Sequence, residues 1–431
     1  MPPTPGSHGG LAAFRHASFR LYWTAQLISL MGTFMQLVAL GYLVYTLTGS
    51  KWLLGVIAAV QMAPSLLLSL PAGVLADRVQ RRRLIVATQS TALVLAFCLA
   101  TLTATHQLKV WEILTIAVIS GIAIAVESPA RQAFVSNLVG PDDLPNAIAW
   151  NSLVINGARV LGPAAGGLAI SYLGVTPIFY YNSFSFLAVI VALLLMRLPP
   201  SPVAAPRHPL RDLREGLDWI RHTPAIGLTL LLTAIVATFV MNYAVLMPVL
   251  ARDVIHTGPQ GLGWMWTAMG LGAVAGSATV VTWSRAAVGG PLLLGSALVA
   301  GISSVGVALA GSLIASLGML LLVGWSTGAF FASANSAVQH RVTDRVRGRV
   351  LSVYTMIFAG TGPIGGLFIA ALASARGAAT ALAVAGSISA VATGILGPAF
   401  LRHLRRTAAT VDRGEPSIPI ARPPTSRRAS P

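Results

Sequence analysis

The residues with the clearest capacity for chemistry are three ionisable side chains inside long apolar segments. Glu127 and Arg131 are four residues apart, which places them on the same face of a helix, and Arg159 lies in the next apolar segment. A charge in apolar surroundings is costly and marks a functional site by default, so the three residues form a candidate proton-coupling site. One alternative is a structural ion pair that joins two helices. Arg159 also has a second candidate partner, an anionic ligand.

A second charged cluster lies between two apolar segments and contains Asp77, Arg78, Arg81 and Arg82. An aspartate in this place can accept hydrogen bonds from a helix N-terminus, or it can pair with an arginine such as Arg131. If that contact forms in only one arrangement of the helices, the cluster is a gate. The alternative is that the arginines only fix the orientation of the loop.

Two segments that lie 200 positions apart each combine a proline with closely spaced glycines. They contain Gly162, Pro163, Gly166 and Gly167 in the first half of the chain, and Gly362, Pro363, Gly365 and Gly366 in the second. A proline kinks a helix, and glycines allow a second helix to approach closely. In lipid, neighbouring helices can satisfy the loosened backbone. The two segments predict a membrane protein with duplicated halves, in which they act as hinges or seals or as ordinary helix contacts.

The composition agrees with a membrane protein. The chain is 55% hydrophobic and only 10% charged, which excludes a soluble globular domain and a disordered chain. Its single cysteine, Cys98, cannot form a disulfide within the chain, and no Cys/His cluster indicates a metal. The sequence also lacks a nucleotide-binding GxxxxGK[ST] loop and the HExxH and GxSxG motifs, so we expect neither an enzyme nor a nucleotide-driven pump.

Twelve apolar segments are long enough to cross a bilayer, which takes about 20 residues each. They lie near residues 21–46, 52–75, 84–104, 111–130, 147–172, 177–197, 224–250, 262–283, 291–311, 314–339, 350–373 and 378–401. This pattern predicts an all-α membrane protein of two six-helix bundles, at 21–197 and 224–401. Residues 1–20 form a polar N-terminal segment without the features of a cleaved signal peptide, so the first span is expected to be retained.

The segment between the two bundles, residues 198–223, is rich in proline and arginine. Within it, Leu210, Leu213, Leu217 and Ile220 recur at helical spacing among charged residues, which predicts an amphipathic helix on the membrane surface. We interpret this helix as a tie between the bundles. Residues 402–431 are polar and rich in proline and arginine, which predicts a disordered tail.

A net charge of +17 is compatible with nucleic-acid binding, but the distribution of the basic residues along the chain indicates membrane topology instead. Of the 29 Lys and Arg residues, 24 fall in alternate loops that begin with the N-terminus, four fall in the opposite loops, and Arg159 lies within a span. This asymmetry follows the positive-inside rule and predicts that both termini are cytoplasmic, in a multi-pass protein of the plasma (inner) membrane. No nucleic-acid partner is expected.

Several motifs resemble the major facilitator superfamily. They are Gly73-Val-Leu-Ala-Asp77-Arg78-Val-Gln80-Arg81-Arg82, which differs from the superfamily's G-x-x-x-D-R-x-G-R-R pattern at Gln80; the Gly162 segment; Phe19-Arg20-Leu-Tyr22-Trp23; Pro129-Ala130-Arg131-Gln132-Ala133-Phe134; and Leu144-Pro145-Asn146-Ala147. Together they are similar to the drug:proton antiporter subgroup that includes macrolide-efflux proteins and enterobactin exporters. The resemblance extends over nearly the whole chain.

The resemblance implies a transporter that works by alternating access around a central cavity. We expect proton-driven export of an amphiphilic small molecule, such as a drug, a macrolide or a siderophore-like compound, with a role in multidrug resistance. The energy source is then a proton gradient with no bound cofactor, and the protein is expected to be a monomer in the lipid bilayer. The alternatives are a proton-coupled uptake symporter, whose cavity would carry more polar groups, and a lipid or lysolipid transporter of the same fold.

Polar and aromatic residues on apolar faces are candidates for substrate binding. The set contains Gln36, Gln61, Asn156, Asn242, Tyr243 and Phe330. Amides and aromatic rings in such positions can contact a ligand, but they also commonly hydrogen-bond or pack between helices. Only the orientation of each helix in the folded protein distinguishes these roles.

Overall fold

We describe the protein from a computed structural model, which describes residues 10–196, 209–282, 290–342 and 344–412. These residues form helices and short turns, without strands in the described ranges. The helices are α1 Ala17–Thr48, α2 Lys51–Arg78, α3 Arg81–Ala104, α4 Val110–Phe134, α5 Leu144–Leu173, α6 Thr176–Leu195, α7 Pro209–Arg221, α8 Pro224–Phe239, α9 Tyr243–Val249, α10 Pro259–Thr282, α11 Pro291–Leu309, α12 Leu313–Arg341, α13 Asp344–Arg376 and α14 Ala378–Asp412.

The helices follow the predicted spans closely. Ten of the described helices are long and apolar enough to cross a membrane, and an eleventh is counted when α8 is joined to the end of α7, to which it lies at 111°. The remaining predicted span corresponds to α10, a helix of 24 residues with five glycines in its sequence. Hydrophobic segments of this length therefore predicted the fold class correctly.

The seventh predicted span, 224–250, is not one continuous helix, contrary to the sequence-based expectation. Helix α8 ends at Phe239, α9 begins at Tyr243, and a π-helical turn follows at Leu250–Val254. The Asn242 side chain donates a hydrogen bond to the carbonyl oxygen of Thr238 at 2.7 Å. A side-chain amide thus satisfies a carbonyl group that the interrupted helix leaves without its usual donor.

The segments outside the bundles differ from the predictions in one place. The predicted amphipathic helix is present as α7, and it docks on α13, where Arg349 pairs with Glu215. The last helix extends to Asp412, beyond the predicted end at 401, and Leu404 still packs against the core. Residues 1–9, 198–208 and 413–431 lie outside the described residues, so the predictions for these parts of the N-terminal segment, linker and tail stay predictions.

The two six-helix bundles are built from equivalent contacts. In the N-terminal bundle, α1–α6, helix α1 packs on α5 and α6, and α3 packs on α4 and α6. In the C-terminal bundle, α8–α14, the interrupted helices α8 and α9 together count as one span. Here helix α8 packs on α13 and α14, and α11 packs on α12 and α14. The bundles meet along two seams, α2 against α13 and α5 against α10. The space between the two bundles is therefore bordered by these four helices.

Candidate functional site

Glu127 lies in a buried polar cluster of the N-terminal bundle. Its residue is 7% exposed, and its carboxylate pairs with Arg131 one turn further along α4. Gln89 of α3 donates a hydrogen bond from Nε2 to Glu127 Oε1 at 2.8 Å. Tyr22 of α1 is also fully buried and packs edge-on against Phe134 of α4, with a centroid separation of 5.3 Å. The cluster thus joins α3 to α4, and the spacing of four residues explains why the ion pair forms.

Arg159 is not part of this cluster. Its guanidinium carbon lies 6.0 Å from the centre of the Phe34 ring, and the side chain is exposed. The three predicted proton-coupling residues are therefore separated into an ion pair, formed by the buried Glu127 and the half-buried Arg131, and an exposed cation, Arg159.

The face of α5 that carries Arg159 can be located from its packing. Gly162 and Gly166 face α1, and Val160 and Gly167 face α10. At about 100° per residue, Arg159 falls between these two contact faces, and Leu161, which is 57% exposed, falls on the opposite side toward lipid. Arg159 and Asn156, three residues before it, therefore point toward the space between the bundles.

Of the four predicted gate residues, the structure describes side-chain contacts for Arg81 and Arg82. Arg81 donates to the carbonyl oxygen of Ala133 at 3.1 Å and to Asn137 at 3.0 Å, and Arg82 donates to the carbonyl oxygens of Met196 and Leu194 at 3.1 and 3.0 Å. These two arginines bind the C-terminal ends of α4 and α6 to the start of α3. The side chains of Asp77 and Arg78 lie outside what the structure describes.

The turn that carries this motif does not need a glycine at position 80. Gln80 has φ −57° and ψ 116°, which residues other than glycine adopt freely. The departure from the superfamily motif at Gln80 is therefore compatible with the turn.

The first Gly-Pro segment forms contacts within and between the bundles. A Cβ atom added at Gly162 would lie 2.6 Å from Cβ of Phe34, and one added at Gly166 would lie 3.1 Å from Cα of Met35, both in α1. Gly167 instead touches the backbone of Gly263 in α10. Helix α5 remains continuous through Pro163. The segment therefore forms close helix contacts, while its predicted role as a hinge stays a prediction.

The second Gly-Pro segment differs from the first in the glycine that precedes the proline, which contacts the other bundle. Gly362 approaches Met62 across the bundle seam. Gly366 approaches Gly55 of α2, and a Cβ atom added at Gly55 would lie 2.8 Å from the carbonyl oxygen of Gly366. Gly365 touches the carbonyl of Thr238 within its own bundle, at the break between α8 and α9. One residue fewer separates the proline from the glycine pair, which rotates that pair by about 100° around the helix axis.

Of the predicted substrate-binding residues, four are engaged inside the bundles. Gln36 accepts a hydrogen bond from Asn182 at 2.8 Å, and the Tyr243 hydroxyl donates to Ser304 at 2.9 Å in the core. Phe330 is fully buried beside Phe331, and Asn242 is held at the helix break.

The remaining two are placed differently. Asn156 is exposed and donates to the carbonyl oxygen of Ser152 at 2.9 Å. Gln61 is half-buried on α2, where its backbone faces Gly121 of α4. The structure thus brings Asn156 to the same face as Arg159, and it places Tyr243 and Phe330 away from that face.

A polar cluster that joins the bundles was not predicted. The Tyr45 hydroxyl donates to Asp253 Oδ2, Lys51 Nζ lies 3.3 Å from the same oxygen, and the Arg252 guanidinium carbon is 5.6 Å from the centre of the Tyr45 ring. The cluster lies beside the α1–α2 turn, at the end of the bundles that the charge distribution predicts to face outward. We call it the outer cluster. The sequence feature that could have indicated this cluster is the carboxylate of Asp253, just after the seventh predicted span.

The motif residues near the N-terminus have a structural role. Trp150 and Asn146 donate to the carbonyl oxygen of Gly10 at 2.8 and 3.0 Å, and Asn146 also accepts from the backbone N–H of Ala13 at 3.0 Å. Trp23 donates to the carbonyl oxygen of Trp150 at 3.1 Å. These contacts attach the N-terminal segment to the start of α5.

Two six-helix bundles that meet along two seams form the major facilitator fold. A bacterial homologue of the human lysosomal transporter Spinster, in an inward-facing and unoccupied conformation, has a TM-score of 0.71 at 15% identity and covers 92% of this chain and 98% of its own. A variant of the peptide transporter POT has a TM-score of 0.74 at 13% identity and covers 90% and 96%. These likenesses show the fold.

The particular family follows from the sequence. A profile of the family described as transmembrane secretion effector matches residues 8–419, and the chain belongs to that family. It is 27% identical over 417 residues to the enterobactin exporter of Escherichia coli strain K12, covering 91% of this chain and 94% of the relative. It is 26% identical over 377 residues to the staphyloferrin A transporter of Staphylococcus aureus strain NCTC 8325 / PS 47, covering 85% and 92%. The protein is therefore a multi-pass membrane transporter and not an enzyme.

Proposed function

We propose that this protein exports an amphiphilic small molecule in exchange for protons, by alternating access between the two bundles. The substrate class includes drugs, macrolides and siderophore-like compounds. Both termini face the cytoplasm, and the protein acts as a monomer in the plasma (inner) membrane. The observation that carries the proposal is the buried Glu127 carboxylate, which is held by Arg131 and Gln89 in the N-terminal bundle of a secretion-effector family member.

The buried cluster supports proton coupling on physical grounds. Protonation of Glu127 would neutralise one half of its ion pair with Arg131 and replace a charge-assisted contact by a weaker one. The hydrogen bond from Gln89 of α3 to Glu127 of α4 crosses between two helices, so a movement of these helices that breaks it destabilises the charged carboxylate. By linkage, protonation of Glu127 biases the same movement. This reciprocity is what an exchange of substrate for protons requires.

The direction of transport is supported by the relatives, one of which is named an enterobactin exporter. The sparse polarity of the spans also favours an amphiphilic substrate over a sugar-like one. Uptake by a symporter and movement of lipid or lysolipid remain the alternative functions, and they differ from export in direction or in substrate.

The direct test uses purified protein in liposomes with a defined proton gradient. A panel of ethidium, erythromycin and enterobactin is offered on the side of the inner loops, with that side more alkaline. Gradient-dependent accumulation of at least one compound is expected, and it should stop when a protonophore removes the gradient. Accumulation driven only by the opposite gradient would establish a symporter instead.

Matched liposomes containing the Glu127→Gln variant serve as the control for coupling. The orientation is tested with a reporter fused after Arg402 and a tag at Arg252. An active cytoplasmic reporter and an externally accessible tag are expected, and the opposite labelling would overturn the orientation.

A further inference from the structure

We infer that Arg159 and Phe34 form a binding subsite for an anionic group attached to an aromatic or flat apolar body, so that the transported substrate is an amphiphilic anion. This inference rests on the proposed transport function and names the charge of its substrate. The ligand group is a carboxylate, catecholate or similar oxyanion.

The charge balance of the spans is the first observation. The chain has only 12 Asp and Glu residues, and apart from Glu127 those in the described part of the chain lie in loops, on α7 or at helix ends. Glu127 already binds Arg131 and Gln89. Among the described residues, Arg159 in the middle of α5 has no carboxylate partner, so its positive charge stays unbalanced until an anion binds.

The orientation of Arg159 is the second observation. The close contacts of Gly162 with α1 and of Gly167 with α10 fix the rotation of α5 about its axis. That rotation turns Arg159 and Asn156 toward the space between the bundles and Leu161 toward lipid. An intramembrane arginine is expected to face such an aqueous space, because exposure of its charge to hydrocarbon is strongly unfavourable.

The neighbouring ring is the third observation. Because Gly162 has no side chain, α5 approaches α1 closely at Phe34, and the guanidinium group of Arg159 comes to lie 6.0 Å from the ring centre. This distance is at the outer limit of a cation–π contact. The ring supports the apolar part of the guanidinium plane and leaves its N–H groups free to bind a ligand.

These three features select the chemical class of the ligand. A guanidinium group offers parallel N–H donors that match the two oxygens of a carboxylate or catecholate, and the adjacent Phe34 ring offers an apolar surface for the body of the same molecule. A cationic amphiphile would instead meet an uncompensated positive charge, which acts against its binding.

The experiment measures the electrostatic potential beside Arg159 with thiol reagents of opposite charge. Asn156→Cys is made in a Cys98→Ser background, and the purified protein is treated with anionic sulfonatoethyl or cationic trimethylammonioethyl methanethiosulfonate. Each rate is divided by the rate with free 2-mercaptoethanol. Ser152→Cys, on the same face of α5, replaces Asn156→Cys if that variant does not fold. Leu161→Cys, on the lipid side, is the matched control.

We expect the normalised ratio of anionic to cationic rates to fall about tenfold when Arg159→Gln is added, since one unit charge a few ångströms away acts on the two reagents in opposite directions. Arg159→Lys should retain most of the ratio, and Leu161→Cys should react with neither reagent. Millimolar benzoate should slow the anionic reaction in the presence of Arg159, whereas its uncharged isostere benzamide should not.

The inference is overturned if neither reagent reaches the cysteine on the Arg159 face, if the ratio is unchanged by Arg159→Gln, or if benzoate and benzamide act alike. The liposome assay fails or succeeds independently of this result. Export without an anion preference at Arg159 would remove the subsite and keep the transport function. An anion preference without export would keep the subsite and remove the proposed direction.

Discussion

The two six-helix bundles share one fold but differ in the chemistry of their interiors. In the N-terminal bundle, Glu127 is the only charged residue among the buried residues described, and it is enclosed by Arg131 and Gln89. In the C-terminal bundle, the buried polar groups are mainly hydroxyls that donate to carbonyl oxygens of their own helix, such as Thr229, Thr233 and Ser296. The Tyr243 hydroxyl binds Ser304.

This difference shows how a duplicated fold can divide its tasks. A neutral hydroxyl bound to its own helix keeps the same partner in any arrangement of the helices, so it contributes packing without responding to protons. A carboxylate held by groups from two helices responds both to protonation and to helix movement. We therefore expect changes in the N-terminal bundle to affect coupling, and changes in the C-terminal bundle to affect stability.

The largest expected effect comes from Glu127→Gln, which replaces the buried carboxylate of the N-terminal bundle by a neutral amide. The interior of this bundle then resembles that of the C-terminal bundle, where the buried polar groups are mainly neutral hydroxyls. Gradient-driven export in liposomes should fall by about 5- to 150-fold, the range of a coupling free energy of about 1–3 kcal/mol. Substrate binding to the purified variant should persist and become independent of pH.

The matched control for this change is Glu112→Gln. Glu112 lies at the start of the same helix, where its carboxylate accepts a hydrogen bond from the backbone N–H of Lys109 at 2.9 Å. It should leave export unchanged within about twofold. Wild-type export by the Glu127→Gln variant would assign the ion pair of Glu127 and Arg131 a purely structural role.

An intermediate effect is expected at the outer cluster, the polar contact between the two bundles. Asp253→Asn removes the charge that Lys51 contacts at 3.3 Å, and it weakens the hydrogen bond from Tyr45. Because the pair is partly exposed, its contribution is about 1 kcal/mol or less, a shift of up to about fivefold in the equilibrium between closed and open outer ends.

Spin labels at Thr48 and Thr257 measure this shift as a larger population of long distances. Lys51→Gln should act in the same direction. Lys109→Gln, at another turn of the same end, should leave the distances unchanged. Identical distance distributions in Asp253→Asn and the wild type would exclude the outer cluster as a contact that stabilises closure.

The smallest effect is expected from Tyr243→Phe in the C-terminal bundle. The change removes the hydroxyl that binds Ser304 at 2.9 Å and keeps the buried ring. Hydrogen bonds between side chains in membrane proteins contribute about 0.6 kcal/mol on average, so the midpoint of thermal unfolding should fall only slightly.

Export by the Tyr243→Phe variant should be unchanged, and Ser304→Ala should have a similarly small effect on unfolding. A severalfold loss of export with normal thermal stability would show that Tyr243 contacts the substrate. It would also contradict the assignment of coupling to the N-terminal bundle alone.

Some site features were predictable because they depend on local spacing. The pairing of Glu127 with Arg131 follows from their separation of four residues on one helix. The docking of Gln89 on the same carboxylate does not, because it depends on how α3 and α4 are rotated against each other. The same limit applies to Asp253, whose partners Tyr45 and Lys51 are some 200 residues away in the sequence.

The sequence by itself determined which segments are helices long enough to span a membrane and to which superfamily the chain is similar. Those properties depend on the apolar length of each segment and on short motifs, which need no knowledge of the neighbouring helices. The interruption of α8 at Val240–Asn242 is the exception among the spans, and it is accompanied by Gly365 of α13 in contact with Thr238.

Only the tertiary structure decided which side each helix presents to its neighbours. Tyr243 and Phe330 are aromatic residues of the kind that often line ligand-binding sites, yet the rotation of their helices buries them in the core. Arg159, like Glu127, lies within an apolar span, yet the close packing of Gly162 and Gly167 turns it toward the space between the bundles. Helix rotation is set by contacts between distant segments, so the sequence of one helix alone does not specify it.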